Sequence, residues 1–411
     1  AWVEWFYLPG RKQKRKKILF LGGAHAQLPA IHYAKEKRFY IITAGNRPSE
    51  PGHKLAGEYH NISTTDKERI LDLSIALKIN AICAYASDPA ALTAAYVSEK
   101  LLLRGSAYEA VRLLSDKGLF RLFLQQNNFA CPWFVHANEP ETLLQQYPGG
   151  KAILKPLDSS GSKGVILIHS KHDIQNYFNW TKGHSRTGQV ILEQFIERKG
   201  PQWHGEGFVV NGKLVFMMLG DQYFSPVNKV APYSTMVPGI VHEKLLPQAH
   251  ELVQRVLTLS GFQQGGINIE LIRDKNDVLY VLEIGARNGG NYMPQLIRHA
   301  CGFDLAKACV DIITHDKIDL PRAVRPEFPY AQVILHANQD GVFQGLVIPE
   351  VFSNCIIEQH IYIKPGDTVK RYSNSSDVVG VLILKLPDKH HLDAYLEAIS
   401  ENRWLIVKAP A

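Results

Sequence analysis

The sequence predicts a parallel α/β domain followed by α+β structure, and three observations carry that expectation. From Ile18 onward, short apolar strands alternate with helical stretches, the pattern of a parallel sheet. That alternation stops between residues 105 and 130. Beyond it hairpin signals take over, the strongest being Asn211-Gly212 between two apolar runs. With 411 residues the chain is too long for one core, and roughly two to four domains are expected.

Taken in order, residues 18–21 read as a buried strand. Gly22-Gly23 and a helix over 27–36 follow, then a strand at 39–43, a helix at 66–77 and a strand at 80–84. The turn Gly22-Gly23-Ala24-His25-Ala26-Gln27 is not G-x-G-x-x-G, so it reads as a tight turn before a helix more readily than as a dinucleotide loop. Ser87-Asp88-Pro89 marks a helix start, and Ser115-Asp116-Lys117 precedes another helix at 119–126. Strands are expected at 165–168 and 189–195, with a helix at 173–180 between them. A hairpin pairs 206–210 with 213–218, and a polar loop is expected over 221–241, long enough to be functional. A helix over 247–260 leads into an antiparallel pair, 267–272 with 278–284. Short strands, a helix at 391–400 and a strand at 404–407 finish the chain.

Composition bounds the function. Hydrophobic content of 45% and charged content of 21% are ordinary for a globular protein. No apolar run approaches the roughly 18 residues of a membrane span, and no membrane role is expected. The first residues place aromatics before the basic run, the reverse of a secretory signal. Five scattered cysteines without a C-x-x-C pair fit reduced thiols and a cytoplasmic location. The net charge of +7 comes largely from Arg11, Lys12, Lys14, Arg15, Lys16 and Lys17, a solvated lead-in more readily than a nucleic-acid surface. An anionic small substrate fits the balance equally well.

Three stretches carry chemistry. In residues 151–164 a strand ends at Lys155 and runs into Ser159, Ser160, Gly161, Ser162, Lys163 and Gly164. A lysine beside a loop rich in free N–H groups suits the phosphates of a nucleotide, although an ordinary hairpin with a Gly/Ser turn has the same pattern. The antiparallel pair carries Glu270 and Glu283. If Arg273 pairs with Val278, Glu270 lies opposite Val281 and Asn268 opposite Glu283, so all three share one face. Such hard oxygen donors suit Mg²⁺. The alternative is two exposed acids at strand ends, but Glu283 sits in an apolar run where a lone carboxylate is costly. Arg287, beside Gly289-Gly290, is a natural clamp for a carboxylate or a transferring phosphoryl group.

The order Asp116-Lys117, Lys155 with its Ser/Gly loop, Glu193-Gln194-Phe195-Ile196, the hairpin with Glu206, Glu270, and Glu283-Ile284-Gly285-Ala286-Arg287-Asn288-Gly289-Gly290 resembles the ATP-grasp superfamily. The nearest group looks like the carboxylate–amine ligases akin to carbamoyl-phosphate synthase, biotin carboxylase and glycinamide ribonucleotide synthetase. The resemblance implies a pre-ATP-grasp domain over 17–115 behind an N-terminal arm (1–16). It further implies two α+β subdomains over 116–192 and 193–327 with ATP between antiparallel sheets, and a C-terminal cap over 328–411.

It implies that Lys117 and Lys155 contact ATP phosphates, that 159–164 closes over them, and that Glu193, Phe195 and Ile196 form the adenine hinge. Glu270 and Glu283 then hold Mg²⁺, for which Mn²⁺ is an allowed substitute, and Arg287 serves the acyl-phosphate step. The implied partners are a small-molecule carboxylate and an amine, and a homodimer is compatible with the analogy. Two positions depart from the pattern. Gln202 stands near where relatives carry an acidic ribose ligand, and ribose contact passes to it or elsewhere. Gly285 stands where many carry the asparagine of E-x-N, which leaves Asn268 or Asn288 to replace that ligand; some amino-acid ligases of the superfamily also show E-I-G-x-R. The competing expectations are a carboxylase acting through carboxyphosphate and a nucleotide-binding protein without turnover.

Overall fold

The computed structural model describes residues 15–408 except 241–242, 315–316, 319–324 and 403. The aromatic arm before residue 15, and His242, a candidate for substrate contact at the end of the loop expected over 221–241, lie outside the described residues.

The first strand, Lys17–Leu21, is the reason the first domain forms. Its apolar run is buried on both faces, as a central parallel strand requires. It pairs in parallel with Tyr40–Ala44 on one side and Ala81–Cys83 on the other, and Glu58–His60 completes a four-stranded sheet. Helices Leu28–Glu36, Lys67–Leu77 and Asp88–Lys100 follow the strands. Asp66 caps the second of these by accepting from the Arg69 N–H. A helix from much later in the chain, Leu305–Thr314, finishes this core with Ala306 and Val310, and its Asp311 accepts from the Tyr33 hydroxyl at 2.9 Å.

A second, antiparallel sheet has the order Phe134–Ala137, Val190–Gln194, Ala152–Pro156, Ile166–Ile168. Alternation puts Ala152 and Leu154 into a core with helices Pro140–Gln146 and Lys171–Lys182, and turns Ile153 and Lys155 to the other face.

The third sheet has eight strands: Leu279–Gly285, Gly265–Arg273, Gln202–Val210, Lys213–Phe224, Pro232–Val237, Tyr330–Leu335, Gly380–Lys385 and Ile356–Ile361. Its alternate residues Trp203, Ile267, Ile269, Leu271 and Val281 pack on helices Tyr108–Ser115, Lys117–Gln126 and Leu246–Ser260. The long polar loop expected over 221–241 instead contributes strand at 221–224 and 232–237, with Asp221 opposite Met236 and a turn at 225–231. Its polar residues misled the reading because Gln222, Ser234 and Thr235 are polar yet buried within the sheet. The prolines sit where a strand tolerates them, Pro232 at the first strand position and Pro238 just past the last. Strand Pro232–Val237 pairs with Tyr330–Leu335, so the region after 328 continues the same sheet. No helix among the described residues is long and apolar enough to cross a membrane. All five cysteines are free thiols.

His336 ends the strand Tyr330–Leu335 and is buried. Its Nδ1 donates to the Ile334 carbonyl at 2.8 Å, and its Nε2 accepts from Asn402 at 2.8 Å and contacts the Ser225 hydroxyl at 2.9 Å. Both nitrogens are thus committed to the neutral ring, and burial pulls its pKa down to about 4. The folded pKa is depressed below the ordinary 6.5, so this contribution to stability is whole above 6.5 and is lost as pH falls toward 4. Between pH 7 and pH 5 it amounts to about 2 kcal/mol. Urea unfolding at the two pH values should show a His336→Gln protein losing that much less on acidification than the parent.

Candidate functional site

A cleft of about 430 Å³ lies between the four-stranded antiparallel sheet and the end of the eight-stranded sheet. One wall is built by register. Lys155 and Glu193 lie on one face of neighbouring strands, with Ile153 opposite Glu193 and Lys155 opposite Ile191, so the two charged side chains are diagonal neighbours. The Lys155 ammonium donates to Glu193 Oε1, while Arg121 Nε donates to Glu193 Oε2 at 3.0 Å. Burial alone would raise the Glu193 pKa, but Arg121 and Lys155 outweigh it and hold the group at about 2. Burial pulls Lys155 below the usual lysine range, against Glu193. Lys117, at the start of its helix, donates to the Ser159 carbonyl at 2.8 Å and sits 3.8 Å from Glu283. Arg121 was not singled out in the sequence. Its signal was a charge on the apolar stripe of 117–126, where Phe120, Phe123 and Leu124 are buried beside it.

The loop 159–164 is seated between two bodies. Ser162 donates to the Val230 carbonyl at 3.1 Å, and the Gly161 carbonyl accepts from the Ser375 N–H at 3.1 Å. Gly161 has φ +68°, which favours glycine, and a Cβ there would press on the Ser375 side chain. Ser159, Ser160 and Lys163 also line the cleft, and Gly164, at φ +73°, closes the loop. Phe195 and Ile196 line it just past the end of the Glu193 strand, where a purine edge could meet backbone groups.

The acidic end differs in register from the expectation. Asn268 faces Gly285, and Glu270 faces Glu283 directly. Two slips cause this. Asp274 closes the turn by accepting from the Asn276 and Val278 N–H groups, which moves the pairing of Arg273 to Leu279. A bulge between Glu270 and Leu271 moves it once more. The slip at the turn alone would turn Glu283 toward the core, and the bulge reverses it, so Asn268, Glu270 and Glu283 still share a face although their partners changed.

Across the sheet that face continues as Gln202 opposite Gln222, Gln222 opposite Thr235 and Thr235 opposite Gln332, a polar floor to the cleft. Gln202 Nε2 donates to Glu270 Oε2 and Gln222 Oε1, each at 3.0 Å, so its amide orients Glu270. Burial and the Glu283 charge push Glu270 up to about 7. His204 contacts the Thr235 hydroxyl and Asn268 Nδ2, and burial and Arg287 pull it down to about 4.

The two facing carboxylates, with Glu270 pushed up by burial and by the Glu283 charge, fit a divalent hard cation. Among the described residues no three His, Cys, Asp or Glu side chains form a metal cluster, so phosphate oxygens would have to complete the shell. Asn268 Nδ2 is held by His204, Gly205 and Glu206, which leaves its carbonyl oxygen for a cation. Asn288 is buried elsewhere, donating to Glu206 and accepting from the Cys309 thiol, so of the two asparagines Asn268 lines the cleft.

Glu206 organises the loop beyond. Fully buried, it accepts from Asn288 Nδ2 at 2.8 Å, the Gly289 N–H at 2.7 Å and Asn268 Nδ2 at 3.0 Å, while burial pushes it up to about 7. Arg287 projects into the cleft but is tethered by Asp88 of the first domain. Its Nε and Nη2 each donate to one carboxylate oxygen at 2.6 Å. Burial opposes the Asp88 charge, yet Arg287 outweighs it and holds the carboxyl below its usual range. In the first domain the Gly23 N–H is taken by Glu50 Oε2 at 2.9 Å, so the turn after the first strand carries an internal carboxylate where an anion would sit.

Residues 149–295 match the family model of the ATP-grasp domain. An uncharacterized protein of Sinorhizobium fredii is 25% identical over 268 residues, 63% of this chain and 54% of that protein. Alanine–anticapsin ligase of Bacillus subtilis is 24% identical over 285 residues, 63% of this chain and 60% of the ligase. The chain therefore spans little more than half the length of these curated relatives. Among solved structures, an L-amino acid ligase from Bacillus licheniformis superposes with a TM-score of 0.80 over 97% of this chain and 100% of that one, at 16% identity.

Proposed function

We propose that this chain, an ATP-grasp protein, is an ATP- and Mg²⁺-dependent ligase that joins a carboxylate to an amine. The observation that carries the reading is one cleft with Lys117 and Lys155 on one wall and Glu270 facing Glu283 at its end. Cations there neutralise the phosphates, the Glu193-Gln194-Phe195-Ile196 segment receives the adenine, and 159–164 covers the phosphates and excludes water. Glu270, Glu283 and the Asn268 oxygen would hold Mg²⁺, which when bound offsets charge on the phosphate oxygens.

A carboxylate oxygen of the substrate forms a bond to the γ-phosphorus as the bond to the β-phosphate oxygen breaks, giving an acyl phosphate and ADP. The amine then forms the C–N bond, phosphate leaves, and the amine's proton goes to solvent. Arg287 supplies N–H donors to the carboxylate or the transferring group. The share of the protein is positioning and charge, without a covalent nucleophile.

The direct test is Mg²⁺-dependent ADP release with a panel of carboxylates and amines, product bonds being identified by mass. Nucleotide binding with no turnover on any pair would sink the ligase reading. A Glu283→Gln protein should need at least about tenfold more Mg²⁺ for half-maximal ADP release. An unchanged Mg²⁺ requirement would remove Glu283 from the metal site.

A further inference from the structure

Arg287 carries five N–H donors on a side chain with much rotamer freedom. Two go to Asp88 and one, from Nη1, to the Asn288 carbonyl at 3.2 Å, so two are left for the cleft. The carboxylate that pins it comes from the other domain, at the start of helix Asp88–Lys100 behind Ser87 and ahead of Pro89. Gly285 makes room for the pair. A Cβ there would lie 3.3 Å from Arg287 Cζ and 3.4 Å from Asp88 Oδ1, tight against both. Gly285 thus abuts a guanidinium–carboxylate pair.

We infer that Asp88 is a positioning residue, which fixes the Arg287 guanidinium so that its two remaining donors meet the substrate carboxylate, and that Gly285 is the vacancy permitting it. The inference rests on the ligase reading for the role of Arg287, and on geometry alone for the pair. It makes the first domain a contributor to the catalytic cleft through the Asp88 side chain. Two parallel N–H···O bonds fix both the direction and the plane of the fork, which a single contact would not. A fixed fork needs no reordering when substrate arrives.

The test uses the full chain. Asp88→Asn should raise the KM for the carboxylate at least about tenfold and lower kcat, while the Kd for Mg·ADP stays within about twofold. Gly285→Ala, which presses on the pair without removing either member, should show the same split more mildly. An unchanged carboxylate KM in Asp88→Asn, or an equal loss of ADP affinity, would overturn the inference, since the second is what mere structural damage produces. If the parent protein turns over no carboxylate, the ligase reading alone fails. The pair is then judged by thermal midpoints of Asp88→Asn, Arg287→Met and the double variant. Shifts that fall short of adding support it, and additive shifts overturn it.

Discussion

Replacing Arg121 by methionine is expected to cost about 3–5 kcal/mol of folding stability, the loss seen when one partner leaves a buried ion pair. The side chain is 1% exposed and does two jobs at once. Its Nε holds Glu193 of the four-stranded sheet, and its Nη1 donates to the Leu282 carbonyl of the eight-stranded sheet at 2.9 Å. Methionine fills the space between the neighbouring phenylalanines but leaves the Glu193 carboxylate buried with Lys155 alone.

The pH dependence distinguishes this from simple loss of packing. Glu193 is held at about 2, below the ordinary 4.5, so its contribution is present above 4.5 and disappears as pH falls toward 2. The deficit of the Arg121→Met protein should therefore be largest near pH 7 and shrink below pH 4, as read by urea unfolding. Adding Glu193→Gln should recover part of it. A cost under about 1 kcal/mol, or one independent of pH, would show that Arg121 does not sustain the charge on Glu193.

Lys155→Met is expected to lower kcat for ADP release by about 10²–10³, the size of effect found when one preorganised donor to developing charge is removed. The argument is positional. Lys155 is fixed by its strand and by Glu193, so its ammonium is in place before any phosphate arrives. Stability should suffer less than with Arg121→Met, because Glu193 keeps its bond to Arg121. Initial rates against ATP concentration, beside a thermal melt, separate the two effects. Activity within about threefold of the parent would take Lys155 out of phosphate contact.

Much of the fold was legible because its signals are local. The buried run at Lys17–Leu21, the Asn211-Gly212 turn and the Lys155 loop each announce themselves within a dozen residues or so. The shared face of Glu270 and Glu283 was legible too, since the slip at the turn and the bulge cancel. What could not be read was anything set by partners far along the chain. Asp88 looked like a helix start, which it is, and nothing near it in sequence points to Arg287. The second half of strand Lys213–Phe224 and strand Pro232–Val237 were hidden because the cleft floor they build is polar, and a buried polar strand has the composition of a loop. Gln202 stands where a ribose ligand was expected, but the strand beside it sets its amide on Glu270.

The continuous eight-stranded sheet has a consequence for how this protein can be divided. Residues after 328 look like an appendage, but Tyr330–Leu335 covers the hydrogen-bonding edge of Pro232–Val237 from Ser234 to Val237. Cutting the chain there would bare that edge, with the buried Tyr233 and Met236 losing the neighbours that shelter them. A strand so exposed is a template for joining other chains. The fragment ending before 328 should therefore aggregate, however complete its cleft looks, and this segment cannot be exchanged as a cassette unless its replacement supplies a strand for the same edge.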